Sequence, residues 1–152
     1  MQTLPDLPEA ARDAAARRFL ARPSLVLSDA EQDEIARETL RVLATPDFAA
    51  LFGADALVEA PLAGIVGDQA IVGQVDRLLV TDAAVTVVDY KTNRPPPATE
   101  AEVAPVYLAQ MAAYRALLRR IYPGRPVACL LLWTDGPRLM ALSDRLLDRH
   151  AP

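Results

Sequence analysis

The sequence predicts an α/β (α+β) domain with a central mixed five-stranded β-sheet flanked by helices, preceded by a helical N-terminal segment. Three observations carry this. Residues 1–52 are Ala- and Arg-rich with helix start and stop signals. From Ala56 the pattern changes to period two in short apolar runs. Val127 to Trp133 is an almost continuous apolar run, which suits a strand buried on both faces, as parallel pairing requires.

In chain order, Leu7-Pro8-Glu9 opens a helix to Leu20, and Pro23 stops it. Ser28-Asp29-Ala30-Glu31 has capping-box spacing and starts a helix to about Leu43, with Ile35, Leu40, Val42 and Leu43 as its apolar side. Pro46-Asp47 begins a short third piece ending at Gly53. Ala56 to Leu62 reads as a first strand, and Gly64 to Gln69 as a turn. Ile71 to Val80 and Val85 to Tyr90 form a hairpin about Thr81-Asp82-Ala83-Ala84. No regular element passes through Asn93-Arg94-Pro95-Pro96-Pro97. Thr99-x-x-Glu102 repeats the capping-box spacing ahead of a helix to about Ile121, with Tyr107, Met111, Tyr114, Leu118 and Ile121 as its stripe. After the Val127 strand, Arg138 to Leu142 reads as an edge strand and Ser143 to Arg149 as a closing helix.

Composition bounds the function. At 152 residues, with 52% apolar and 24% charged, the chain has the size of one globular domain. It shows no apolar run of membrane-spanning length and no secretory leader, and the expected setting is a reducing cytoplasm. One cysteine, Cys129, excludes an internal disulfide and any multi-cysteine metal site; it reads as a buried thiol. Arg17-Arg18 reads as a solvated face, and His150, the sole histidine, as solvated. The net charge of −4 argues against a free-standing nucleic-acid binder.

The chemistry centres on the hairpin. With the turn between Asp82 and Ala83, Asp76 sits directly opposite Asp89, and opposed side chains have Cβ atoms about 5 Å apart. Two facing carboxylates repel unless a proton or cation lies between them. Lys91 returns to the face of Asp89 by alternation, and of the 16 Lys plus Arg it is the only lysine. Asp76 is expected on one strand face with Val72, Gln74, Leu78 and Val80, and Arg77 on the other. A structural Asp–Lys ion pair is the simple alternative. Two acids and one base leave unbalanced charge, which magnesium or manganese would resolve. Gln110 and Tyr114 are helix neighbours able to support the site or hold a phosphate, although Tyr114 equally suits the core stripe.

Gly73-x-Val75-Asp76-Arg77, Val88-Asp89-Tyr90-Lys91-Thr92 and Gln110-x-x-x-Tyr114 resemble the motifs of the PD-(D/E)XK nucleases. More closely they resemble the RecB-type domain of helicase–nucleases, and the AddA subunit of AddAB most of all. The resemblance covers essentially the whole chain. It implies a restriction-endonuclease-like core over residues 53–152. It implies a magnesium-dependent DNA exonuclease acting in double-strand-break repair. In it Asp76, Asp89 and the Tyr90 carbonyl bind Mg2+ (or Mn2+), Lys91 is catalytic, and Gln110 and Tyr114 serve the site or the DNA. It also implies helicase domains on the same polypeptide and an AddB-type partner, which would supply the basic DNA channel. The family's histidine ligand precedes the first strand, and no His occurs before position 150. A fragment beginning at Met1-Gln2-Thr3, after that histidine, is the expected account, with weak activity in isolation. Glu59 is a candidate substitute ligand, with a surface carboxylate the simpler reading. The alternatives are a catalytically incomplete nuclease-fold scaffold and a hydrolase for another phosphorylated substrate.

Overall fold

A computed structural model describes residues 3–152, so the expected end of a preceding helix at Met1-Gln2 lies outside the described residues. Helices α1 (Glu9–Leu20) and α2 (Asp29–Ala44) pack together through Ala16, Leu20 and Ala36. The α2 start is a complete capping box: Glu31 N–H donates to Ser28 Oγ at 3.4 Å and Ser28 N–H to Glu31 Oε2 at 2.8 Å. A 3₁₀ helix, Pro46–Phe52, follows.

The sheet has the order β1 (Ala56–Val66), β2 (Gln69–Val80), β3 (Val85–Lys91), β4 (Val127–Trp133) and β5 (Arg138–Leu142). All neighbours are antiparallel except β3 and β4, which are parallel and joined through α3 (Pro105–Ile121). This is the mixed five-stranded sheet that the element order predicted, and the restriction-endonuclease-like core that the resemblance implied. A short α4 (Asp144–Asp148) closes the chain under a Ser143 cap. One sheet face packs against α3 through Leu78, Val87, Cys129, Leu131, Met111 and Leu118. The other carries Val88 and Leu132 against Val42, Phe48 and Leu51. The Cys129 thiol is buried and its pKa is pushed up to about 12, chiefly by desolvation.

Four local expectations are corrected. The first hairpin turns at Gly67-Asp68, and Gly64 lies inside β1 opposite Ile71. Gly67 has φ +58, as a tight hairpin turn requires. A Cβ on Gly64 would come 2.5 Å from Leu117 Cδ1 on α3, so the strand and helix pack closely there. The Thr99-x-x-Glu102 spacing closes a 3₁₀ turn, Glu100–Glu102, and α3 starts separately with Pro105 in its first turn. On α3 the buried stripe includes Leu108 and Leu117, whereas Ile121 is 47% exposed.

The fourth correction is the alternation along β2. Ile71, Gly73 and Val75 face α3, and so does Leu78, while Val72 is 82% exposed. The strand therefore switches face parity at Asp76-Arg77. The break is shared with β1. Val58 pairs with Arg77 and Ala60 with Val75, but Glu59, which would oppose Asp76, has φ +49 and no ladder partner. Left-handed backbone at a non-glycine residue is strained, and such strain concentrates at functional sites.

Candidate active site

The β2–β3 ladder runs from Val80–Val85 to Arg77–Val88, so the next pair outward in register is Asp76 with Asp89, as the turn length predicted. The ladder ends at Arg77–Val88, so the Tyr90 amide has no partner on β2's backbone within it. The Asp76 side chain takes that place: Tyr90 N–H donates to Asp76 Oδ2 at 2.7 Å. Because N–H and C=O of one residue leave an antiparallel strand on the same side, the Tyr90 carbonyl faces the same gap.

Asp89 and Lys91 stand two apart on β3, both facing α3, where their neighbours on β4 are Leu131 and Trp133. They form an ion pair whose side chains are only 8% and 10% exposed, respectively. Lys91 Nζ also donates to Gln110 Oε1 at 3.2 Å and lies 4.0 Å from the centroid of the Tyr107 ring. Gln110 Nε2 donates to Tyr114 Oη at 3.1 Å, and Tyr114 Oη donates to the Gln74 carbonyl at 3.3 Å. Thus the ammonium is fixed from three directions, and its amide partner is fixed in turn by a phenol anchored on β2. The glycine of the first motif belongs to this chain of contacts, since a Cβ on Gly73 would lie 2.4 Å from Tyr114 Oη.

The carboxyl of Asp76 has its pKa raised, first by burial, with the charges of Asp89 and Glu59 adding to the rise. The Tyr90 amide and Lys91 oppose the rise without cancelling it. Two acids share this place, and the one available ammonium is already engaged by Asp89. Arg77 points to the opposite face, as predicted, where its Nε donates to Tyr90 Oη at 3.0 Å and its guanidinium lies over Phe52.

The structure brings Asp76, Asp89, Tyr90, Lys91, Gln110 and Tyr114 together. It leaves Glu59 exposed. The carbonyl of Glu59 accepts from Gln74 Nε2 at 3.1 Å, and among the described residues no three His, Cys, Asp or Glu side chains gather as a metal-binding group. Sequence reasoning missed Tyr107 as a site residue, reading it as core. Its spacing of three from Gln110 places both on one helix edge, which was the available signal.

The family model of the PD-(D/E)XK nuclease superfamily matches residues 2–143. The chain belongs to this superfamily. Nucleases of the superfamily typically use divalent metal ions. The fold is similar to the crystal structure of a protein named "Putative exonuclease" from Eubacterium rectale, with a TM-score of 0.59 at 12% identity. That alignment covers 93% of this nuclease chain and 59% of the other, so the chain spans well under two thirds of its neighbour's length. The crystal structure of SSO0001 aligns over 97% of this chain and 68% of its own, at 16% identity and a TM-score of 0.42. No curated protein matches.

A divalent cation fits the donors present. Carboxylates and a backbone carbonyl are hard oxygen ligands suited to Mg2+ or Mn2+. The desolvated, repelled carboxyl of Asp76 is the group that such a charge would relieve.

Proposed function

We propose that this chain is the metal-dependent DNA exonuclease domain of a helicase–nuclease that processes double-strand breaks for recombination. Asp76, Asp89 and the Tyr90 carbonyl would hold Mg2+ (Mn2+ being the alternative), which when bound polarises the scissile phosphate and acidifies water. Lys91 presents a fixed ammonium to the negative charge that grows on phosphorus-bound oxygens during hydrolysis. Gln110 and Tyr114 hold that ammonium in place, so no reorganisation is needed as charge develops. The observation that carries the reading is the Asp89–Lys91–Gln110–Tyr114 chain beside a second, cation-deficient carboxyl, Asp76.

On this reading residues 53–152 are the nuclease core of a longer cytoplasmic polypeptide. Its helicase domains and an AddB-type subunit supply the basic DNA channel that a net charge of −4 does not.

Calorimetric titration with Mg2+ tests the reading. Saturable heat from the native chain, lost in Asp89→Ala and in Asp76→Asn, is the expected result. Its absence from the native chain leaves the fold as a scaffold without a metal centre.

Asp76→Asn carries a second expectation. A carboxyl whose folded pKa is raised costs stability as pH climbs from the ordinary carboxylate value through the raised one. The metal-free Asn variant is therefore expected to melt higher than the native chain above that window and to match it more closely below. Thermal unfolding across pH in the presence of a chelator checks this.

A further inference from the structure

The Pro-rich loop after β3 borders an open pocket of about 350 Å3, lined by Asn93, Pro95–Pro97, Glu102, Ala104, Tyr107 and Trp133. The volume is that of small-ligand pockets. Its walls are prebuilt. Arg94 pairs with Glu34 and Glu38 on α2, and Arg138 donates to the carbonyls of Pro97 and Ala98, so the loop is tied at both ends. Tyr107 Oη donates to Asn93 Oδ1 at 2.7 Å, and the Tyr107 and Trp133 rings meet edge-on with centroids 6.4 Å apart. Trp133 is 2% exposed, and its Nε1 is buried without a hydrogen-bond partner. A buried donor left unpaired is costly, and an acceptor brought into the pocket close to it would relieve that cost.

The lining contains no lysine or arginine and includes one carboxylate, so the cavity does not suit a phosphate. It suits a flat, uncharged group with an apolar face and an acceptor edge. Tyr107 belongs to both sites: the ring that lines this cavity is the one over which Lys91 Nζ lies. A group in the cavity is therefore one aromatic ring away from the ammonium.

We propose that this cavity is a nucleobase subsite, which takes one unstacked base of a single strand beside the phosphodiester placed at Lys91. The proposal rests on the nuclease reading and adds a requirement that the substrate be locally unpaired, because a base inside a duplex cannot enter the pocket without leaving its stack.

Trp133 is the only tryptophan, so its fluorescence reports on the cavity and the adjoining Lys91 position, which the abasic oligomer separates. The full chain is titrated, with Ca2+ present, with a short oligothymidylate and with an oligomer of equal length built from abasic residues. Saturable quenching by the first and none by the second is expected. Ala104→Leu, at an exposed position that borders the cavity, is expected to weaken oligothymidylate binding about tenfold, the size of losing one stacked base. Equal binding of both oligomers by anisotropy, with Trp133 unchanged, overturns the base subsite and leaves the nuclease reading standing. Binding of neither, together with no Mg2+ heat, overturns both. Quenching by a proline-rich peptide but not by DNA overturns the subsite in favour of a peptide groove.

Discussion

Lys91→Met is expected to destabilise the metal-free protein by roughly 3 kcal/mol and to reduce DNA cleavage at least about a hundredfold. Both effects follow from burial. Exposed ion pairs contribute little, but the Asp89 side chain is 8% exposed, and removal of its cation leaves a carboxylate with neither water nor partner. Methionine keeps the length and most of the volume, so the loss is that of the charge. Mg2+ is expected to restore part of the stability of the variant, because the cation would take over the neutralisation of Asp89. The thermal shift on adding Mg2+ should therefore be larger in the variant than in the native chain. Urea unfolding with and without Mg2+, and cleavage of single-stranded DNA, measure the two halves. Lys91→Arg is not a rescue: the space between Asp89, Gln110 and the Tyr107 ring holds a compact ammonium, and a planar fork demands different partners.

Gly73→Ala is expected to cost about 1–3 kcal/mol, the range for forcing one methyl into a packed site, and to lower cleavage about tenfold or more. The added Cβ would lie 2.4 Å from Tyr114 Oη and 2.7 Å from its Cε1, so the ring must move and not merely lose its hydroxyl. Moving it breaks the bond to the Gln74 carbonyl and frees Gln110, which then no longer fixes Lys91. Metal binding by the aspartates should survive. The double variant Gly73→Ala/Tyr114→Leu is expected to regain stability but not cleavage, which separates the packing of Tyr114 from its hydrogen bonds. Urea unfolding and cleavage of single-stranded DNA again provide the readouts.

The hairpin register was legible because turn length and strand pairing are local. Counting outward from Asp82-Ala83 sufficed to set Asp76 opposite Asp89. The capping box at Ser28 and the buried strand Val127–Trp133 were legible for the same reason. What the sequence concealed depends on contacts from afar. Gly64 looked like a turn residue because nothing nearby shows that Leu117 presses on it. Strict alternation along β2 failed at Asp76 because Glu59 on β1 takes a left-handed conformation there. Tyr107 looked like core because only the folded chain shows a lysine under its ring and a proline-walled cavity beside it.

The parallel pairing of β3 with β4 has a consequence for biosynthesis. The three strands up to Lys91 associate by adjacent hairpins, but the other neighbour of β3 is separated from it by the whole of α3. A nascent polypeptide halted before Val127 carries Asp76 on β2 and Asp89 and Lys91 on β3, with the outer edge of β3 unsealed and Trp133 not yet made. The candidate site is thus complete only once translation has passed Trp133.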